Sequence, residues 1–477
     1  MSMDRDTALA ERCYTLADQQ RFAALSGDHN PIHVDPLAAR RTIGGECIVH
    51  GVHGVLWALE QLTLQTGLTL AGFKAKFLKP MLLDDPVTLI WDAQARRLSL
   101  RSGATVLVMV SVTPGSAQPA DAVRTEVAAT LAAPQCPSFE HCAAAVPRPF
   151  VLRGEPTLAA EQFPALCKRY GAAAVNEVAA LSQIVGMEQP GLYSLFTALK
   201  VQWAERADGP ASYAVLRSDE RFKLLTMAVQ GHALTAEIEA FYRPGPVCNP
   251  GIADLALRVR PDEFKGVRAL IVGGSRGLGE LVAKLISAGG GSTAITYSVG
   301  QQEADRVAAE IAAWGGEVTT LPLTVGAGTT LPAALPPFNQ LYYFATPRIM
   351  AQRAEQFDSK QLQSYLDIYV DAFDALCEAV QARGHACAVF YPSTVFIDSQ
   401  PTEFKDYVSA KMQGEARCAA LNRGGLLQVL AARLPRMATD QTQSFTQGEF
   451  DDPVQLMLPW LRRMPILPDT PNTPDQR

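Results

Sequence analysis

A chain of 477 residues has room for about three domains of roughly 150 residues each, every one able to bury a core. Its 48% hydrophobic and 19% charged residues are those of an ordinary globular protein, and a net charge of −6 excludes the basic footprint of a nucleic-acid binder. No run of about eighteen apolar residues marks a membrane span. The acid-bearing start MSMDRDTALAERC does not read as a secretory signal, and nine cysteines without CxxC pairs point to a reduced, cytoplasmic setting and to no metal site.

The pattern predicts a short helix over Thr15–Leu25, ending at Ser26-Gly27. An acid, an amide and an imidazole (Asp28, Asn30, His33) then fall within six residues around Asn30-Pro31. A residue before proline is pushed out of helical geometry, so Asp28 to His33 is expected on an ordered loop. A second short helix is expected over Pro36–Arg41, and a longer one, mostly apolar all round and therefore buried, over Gly51–Leu64. Strand-length runs at Phe73–Leu78, Pro86–Asp92, Arg96–Arg101 and Thr105–Thr113 read as an antiparallel meander around that helix. Chemically, the acid and imidazole suit proton exchange with water, a poor nucleophile that needs a base within hydrogen-bond reach. The Gly51 N–H, at a helix N-terminus, suits an oxygen that gains negative charge, and a residue without a side chain admits close approach.

D-x-N-P-x-H-x-D at Asp28–Asp35, I-V-H-G at Ile48–Gly51 and F-L-K-P at Phe77–Pro80 together resemble the MaoC-like hydratase/dehydratase family of hot-dog folds. The resemblance implies an α+β domain over residues 1–135 and reversible addition of water to a trans-2-enoyl thioester, giving an (R)-3-hydroxyacyl product. It implies Asp28 and His33 as the catalytic pair, Asn30 as the residue that orients them, and Gly51 as the binder of the thioester oxygen. Taken singly, each has a plainer role: Asp28 as a helix cap, His33 as a core histidine, Gly51 as a packing glycine. His29 and His53 read as structural, and His50 as a helix-entry residue. One departure concerns the central helix, where related hydratases carry a small hydroxyl residue and this chain has Val55, Leu56 and Leu59.

Pro114–Pro149, rich in Ala and Pro, reads as a linker or an overhanging helix. A helix over Ala172–Ile184 and strands at Leu199–Ala204, Ser212–Ser218, Leu224–Gly231 and Leu234–Tyr242 then repeat the earlier order. Residues 150–250 therefore look like a diverged second hot-dog half with no counterpart of Asp28, Asn30 and His33, a built-in structural partner of the first. Met187, Leu192, Tyr193 and Phe196 either line an acyl channel or form core.

From Val267 onward strands and helices alternate: strands at Val267–Val272, Ser292–Tyr297, Glu317–Pro322, Gln340–Ala345 and Ala386–Tyr391, with helices to Ala288, over Gln302–Trp314 and over Leu362–Ala382. This predicts an α/β, Rossmann-type doubly wound parallel sheet over 262–467, followed by a mobile tail from 468 to 477. Gly273, Ser275, Arg276, Gly277, Leu278 and Gly279 form a glycine-rich turn between strand and helix, suited to a pyrophosphate at the helix N-terminus. Tyr407 and Lys411, four apart, share one helix face.

The glycine turn and Tyr407-Val-Ser-Ala-Lys411 resemble the short-chain dehydrogenase/reductase family. That resemblance implies Tyr407 as proton donor to a ketone oxygen, Lys411 as its activator and holder of the nicotinamide ribose, and Ser393 as a hydrogen-bond donor to the same oxygen. Thr439 would hold the nicotinamide amide. This chain departs from the family in carrying Phe344-Ala345-Thr346-Pro347 in place of Asn-Asn-Ala-Gly, and Tyr369 in place of the helix asparagine. Its serine-to-tyrosine spacing is one residue longer than common, which leaves Thr394 as an alternative to Ser393. With no acid in Tyr297-Ser298-Val299 at the end of the second strand, and Arg276 able to meet a 2′-phosphate, NADPH is the expected cofactor.

Together these readings point to a bifunctional enzyme on acyl-CoA or acyl-carrier-protein thioesters, expected as a homo-oligomer. A hydratase with a nucleotide-binding remnant and a non-catalytic acyl-thioester binder are the rival readings.

Overall fold

The computed structural model of the protein describes residues 7–42, 45–115, 128–204, 209–243, 245, 247–347, 349, 359–437 and 451–467. The expected cofactor residue Thr439 and the tail from 468 lie outside the described residues, as do 116–127 of the expected linker. The described residues up to Gly245 form one compact unit and those after it a second.

The first unit opens on a strand that the hydrophobic pattern did not reveal, β1 (Thr7–Cys13), paired antiparallel with β3 (Pro86–Asp92). Its burial is that of an edge strand, mostly exposed, so it lacks the apolar alternation that marks a half-buried strand. Helix α1 (Leu16–Ser26) starts at a capping box in which Thr15 and Asp18 each bond the other's backbone N–H. It stops at Gly27, whose φ of +77° is the left-handed geometry that glycine adopts freely. The chain so turned enters Asp28. Asn30 then caps a helical turn over Pro31–Val34, its Oδ1 accepting from the Ile32 N–H at 3.1 Å. His33 therefore sits on a helical turn and not on the loop expected from Asn30-Pro31, because proline is well suited to the first position of a helix.

Helix α2 (Gly51–Thr66) is buried without a break from Val52 to Glu60. Each of Leu56, Leu59 and Leu62 is buried almost completely, contributing about 1.5–3 kcal/mol apiece. The strands β2 (Leu70–Phe77), β3, β4 (Arg97–Ser102) and β5 (Thr105–Pro114) curve around it. The second half repeats the design, with the two-residue strand β6 (Arg148–Pro149), helix α3 (Ala172–Gln183) and strands β7 (Ser194–Trp203), β8 (Ser212–Asp219), β9 (Leu224–Gln230) and β10 (Leu234–Tyr242). Each central helix buries one glutamate that accepts two backbone N–H bonds: Glu60 from Ala165 and Leu166, Glu177 from His232 and Ala233. The halves join edge to edge through β2 and β7, with Phe73 opposite Val201, giving one ten-stranded antiparallel sheet in the order β1-β3-β4-β5-β2-β7-β10-β9-β8-β6. This is the expected double hot-dog.

The second unit is a parallel six-stranded sheet in the order β13-β12-β11-β14-β15-β16. Its strands are β11 (Arg268–Val272), β12 (Ser292–Tyr297), β13 (Val318–Pro322), β14 (Gln340–Tyr343), β15 (Cys387–Thr394) and β16 (Leu427–Leu434). Helices α4 (Gly277–Ala288), α5 (Gln301–Trp314), α6 (Ser359–Leu366), α7 (Phe373–Gln381), α8 (Lys405–Leu421) and α9 (Pro453–Arg463) accompany them. The sheet's strand order reverses between β11 and β14, the crevice where open α/β sheets bind ligands. The long helix expected over Leu362–Ala382 is interrupted by a π-helical turn at Asp367–Ala372, which carries Tyr369. Apart from that break, the Rossmann-type reading stands.

Candidate functional site

In the first unit the chain brings Asp28, His33 and His50 together so that an Asp28 oxygen and a nitrogen of each imidazole lie within 4.8 Å of one another. The Asp28 carboxylate is buried and accepts two hydrogen bonds, from the Asn30 N–H at 3.1 Å and from the Ser182 hydroxyl at 2.6 Å. Burial pushes its carboxyl above the usual range, against the facing His33 and these two bonds. His33 Nδ1 lies 2.8 Å from the Ile48 carbonyl. A carbonyl can only accept, so Nδ1 carries the proton and Nε2 keeps its lone pair. Burial lowers the His33 pKa against the attraction of Asp28, so the ring is neutral near pH 7 and able to take a proton. Asn30 reaches the second half: its side-chain N–H group meets the carbonyls of Gly186 at 2.8 Å and Gly191 at 3.2 Å. Gly51 opens α2 immediately after His50, and no side chain caps that helix start. A Cβ on Gly51 would lie 2.7 Å from the ring of Phe77, which would have to move to admit it.

The second half, expected to be only a partner, contributes directly. Ser182, from the last turn of α3, donates its hydroxyl to the Asp28 carboxylate. A π-helical turn over Ile184–Glu188 continues α3 and lays Gly186 on Asp28, so closely that a Cβ there would be 2.2 Å from the carboxylate. Of the four residues proposed as channel or core, Met187 is fully buried, whereas Leu192, Tyr193 and Phe196 are half-buried.

In the second unit Gly273 and Gly277 adopt φ of +81° and +58°, and a Cβ on Gly279 would be 2.2 Å from the Gly273 carbonyl oxygen. The turn Gly273–Gly279 thus passes tightly from β11 into α4, and the space beside Gly277 is open. The Asn249 side chain donates to the Gly277 carbonyl at 2.8 Å, steadying the turn. Arg276 occupies the cap position, with no side-chain bond closing the helix start, while Ser275 is buried and Leu278 half-buried. Beyond β12, Ser298 is hydrogen-bonded to Thr324 at 2.9 Å and Val299 is exposed.

Tyr407 and Lys411 do share a face of α8, but Ser393 is not brought to them. Its hydroxyl donates to Glu415 at 2.6 Å, in a cluster closed by Arg433. Burial dominates the setting of the Tyr407 phenol, and Thr394 is the hydroxyl near enough to act against it. Neighbouring residues in a strand face opposite sides, so one residue of extra spacing exchanges which hydroxyl meets the tyrosine. Lys411 is 4% exposed, donates to the Pro392 carbonyl at 2.7 Å and stands 3.7 Å from the centre of the Tyr369 ring. Burial draws its pKa down to about 7 and pushes Tyr407 up to about 12.

A family model described as "MaoC like domain" matches residues 3–110. Residues 3–110 are thus similar to a MaoC-like domain. A comparison with curated proteins finds no match. Among solved structures, the chain is similar to an angucycline C-6 ketoreductase, LanV, with bound NADP: 19% identity, covering 36% of this chain and 74% of that one, TM-score 0.32. It is also similar to a short-chain dehydrogenase from Burkholderia cenocepacia in complex with NADP, at 21% identity over 38% and 78% of the two chains, TM-score 0.34. A further likeness is to a short-chain dehydrogenase from Pseudomonas syringae, at 17% identity over 45% and 94%, TM-score 0.37. At such scores the neighbours add nothing to the argument from strand order.

Asp28, Asn30, His33 and Gly51 all lie within the MaoC-like domain, whereas Ser182 and Gly186 lie outside it. Nothing in Ser182-Gln183-Ile184-Val185-Gly186 announces a contact with Asp28 more than 150 residues away; only the packing of the halves creates it. The Asp28, His33 and His50 group is also the set of His, Cys, Asp and Glu side chains closest to a metal-ligand arrangement among the described residues. Both His50 nitrogens already face protein oxygens, at 2.9 Å for Gln19 and 3.0 Å for the Asp28 carbonyl, so that ring presents no open ligand direction. No described helix is long and apolar enough to cross a membrane.

Proposed function

We propose that the protein is a two-centre enzyme on acyl thioesters carried by CoA or an acyl carrier protein. The MaoC-like domain would interconvert trans-2-enoyl and (R)-3-hydroxyacyl groups, and the C-terminal domain would interconvert 3-hydroxyacyl and 3-oxoacyl groups with NADPH. The observation that carries the first activity is the buried Asp28 carboxylate facing a neutral His33 whose Nε2 is free of protein bonds to Ile48. In hydration the water oxygen bonds to C3, the C2–C3 π bond breaks, and a proton is delivered to C2. Asp28 and His33 hold the water between them and exchange that proton. The Gly51 N–H, first in α2, faces the enolate-like thioester oxygen and is aided by the helix dipole. Loss of enoyl absorbance from crotonyl-CoA, or from a longer enoyl-CoA, tests this activity directly. No turnover dependent on Asp28 and His33 would leave an acyl-thioester-binding protein.

Gly186→Ala should cost the hydratase about 10²-fold in kcat, because a methyl 2.2 Å from Asp28 must push the carboxylate by a sizeable fraction of an ångström. Steady-state kinetics on the same substrate checks it, and an unchanged kcat would mean that the carboxylate position is not critical.

For the second activity, the open glycine turn, the uncapped start of α4, Arg276 beside it and the lack of an acid at Ser298 or Val299, directly after β12, fit a dinucleotide bearing a 2′-phosphate. When bound, NADPH supplies a hydride. Tyr407 would donate its phenolic proton to the ketone oxygen, and we assign the accompanying hydroxyl to Thr394, since Ser393 is committed to Glu415. The two activities share the 3-hydroxyacyl thioester, which gives fusion a kinetic advantage by raising its local concentration.

A second reading has a specific observation behind it: a hydratase whose C-terminal domain binds nucleotide without reduction. Lys411 is turned onto Pro392 and the Tyr369 ring, and Tyr407 packs against Tyr365 and Tyr369 at 5.9 and 5.7 Å between ring centres. NADPH oxidation with acetoacetyl-CoA or a 3-oxoacyl carrier protein separates the two. On the reductase reading Tyr407→Phe lowers that oxidation by about 10²–10⁴-fold, the usual worth of a general acid. Oxidation unchanged in Tyr407→Phe, or absent in the wild type, favours the second.

A further inference from the structure

Beneath Asp28 and His33 lies a buried polar cluster that the proposed chemistry does not use. Gln19, nine residues before Asp28 on α1, is completely buried. Its Oε1 accepts from the His50 backbone N–H at 2.9 Å, which fixes the oxygen end of the amide toward His50. The same Oε1 lies 2.9 Å from His50 Nδ1, and Gln19 Nε2 lies 3.4 Å from His53 Nδ1. On the far side of the ring, His50 Nε2 is 3.0 Å from the Asp28 backbone carbonyl and 3.9 Å from its carboxylate. A neutral ring has one N–H for these two oxygens, so one of them accepts its hydrogen bond while the other only abuts the ring, and turning the ring would break that bond. His50 is also stacked on His33, with ring centres 3.9 Å apart and planes 26° from parallel, and Phe22 covers it at 5.1 Å.

Burying an amide and two imidazoles costs about 1–3 kcal/mol for each group not well bonded, and leucine or phenylalanine would fill this space at no such cost. The cluster touches both members of the hydratase pair, Asp28 through its main chain and His33 through its ring face. We infer that Gln19 and His50 are positioning residues for that pair: Gln19 holds the His50 main chain, the Gln19 oxygen and the Asp28 carbonyl hold the His50 ring between them, and that ring sets the plane of His33. The inference rests on the hydratase reading above. Neither residue touches the reacting atoms, so both act through Asp28 and His33.

Three variants of the full-length protein test it: Gln19→Leu, His50→Phe, which keeps a stacked ring, and Gln19→Leu combined with Asp28→Asn. Gln19→Leu and His50→Phe should each lower kcat on enoyl-CoA by about 10²-fold, the cost of misplacing a reacting group by about 1 Å, with KM changed by less than about twofold. In the Asp28→Asn background, Gln19→Leu should cost less than about threefold, because a positioning effect vanishes once the positioned group is gone. A kcat loss of equal size in both backgrounds, or a folded Gln19→Leu with unchanged kcat, overturns the inference. A readout independent of turnover is the ring-nitrogen spectrum of His33 in protein labelled with ¹⁵N-histidine. Wild type should show one tautomer, protonated at Nδ1, and Gln19→Leu a mixture. An identical His33 spectrum in Gln19→Leu also overturns it. A wild-type protein without hydratase turnover would overturn the proposed function, while the His33 spectrum would still decide whether Gln19 and His50 hold that ring.

Discussion

Asp28→Asn should remove enoyl hydration by about 10³-fold or more while leaving the protein at least as stable as the wild type. The loss of activity follows from the chemistry: asparagine has the same shape and cannot take up a proton, and positioned acid–base groups contribute about 10²–10⁴-fold. The retained stability follows from burial. Asp28 is shut away from solvent, and desolvation raises its pKa despite two hydrogen bonds and the facing His33. An acid whose folded pKa is raised above its ordinary value of 3.8 penalises the folded state once pH rises past that value, because the unfolded chain ionises more readily. At pH 7 the substitution removes the penalty. The asparagine oxygen can still accept from the Asn30 N–H, and the Ser182 hydroxyl can reverse its role and accept from the new amide. Kinetics on crotonyl-CoA and a melting curve, run on the same preparation, test both halves. A variant that melts several degrees lower would mean that Asp28 is a structural anchor, and hydration retained within about tenfold would remove it from catalysis.

Lys411→Met should stabilise the C-terminal domain at neutral pH and abolish any reductase activity. Lys411 is buried among Tyr369, Tyr391 and Tyr407 with one carbonyl, that of Pro392, as its hydrogen-bond acceptor. Desolvation lowers its pKa from 10.5 to about 7. Between those values the unfolded chain still holds the proton that the folded domain has released, so stability climbs with pH across that window. Below about pH 7 the full penalty is present, on the order of a few kcal/mol at roughly 1.4 kcal/mol per pH unit. Methionine has a similar volume and carries no charge, so the contacts with the tyrosine rings are kept. The expected result is a melting point raised by about 3 °C or more at pH 6–7, with the gain fading toward pH 10. A gain independent of pH would point to packing rather than to the ammonium. If the variant oxidises NADPH as fast as the wild type, Lys411 is no part of a reductase centre.

Much of the architecture was legible because local physics and global fold agree. The apolar Gly51–Thr66 helix, the strands after it and the alternation from Arg268 onward all carry periodicities that a fold can only answer in one way. Asp28, Asn30 and His33 were legible for a different reason: they lie within six residues, so the segment that holds them is encoded locally. What could not be read lacked a local stripe, combined two local signals, or depended on groups far apart in the chain. An exposed edge strand at Thr7–Cys13 has no apolar stripe, and the helical turn that carries His33 needed the Asn30 cap as well as the proline. Ser393 and Thr394 could not be told apart along the chain, because which side of β15 faces Tyr407 is set by how α8 packs on the sheet.

The residues themselves already place an acid and an imidazole ahead of a glycine-led buried helix, a built-in second half and a glycine turn feeding a parallel sheet. Their order and spacing suffice for that, since caps, turns and periodicities act over a few residues. Packing supplies the rest. It turns the second half from a partner into part of the site, by bringing Ser182 and Gly186 onto Asp28, and it builds the Gln19–His50 support beneath. Those contacts form only when α1, α2 and α3 meet around one carboxylate, and no local pattern records which side chains will face it.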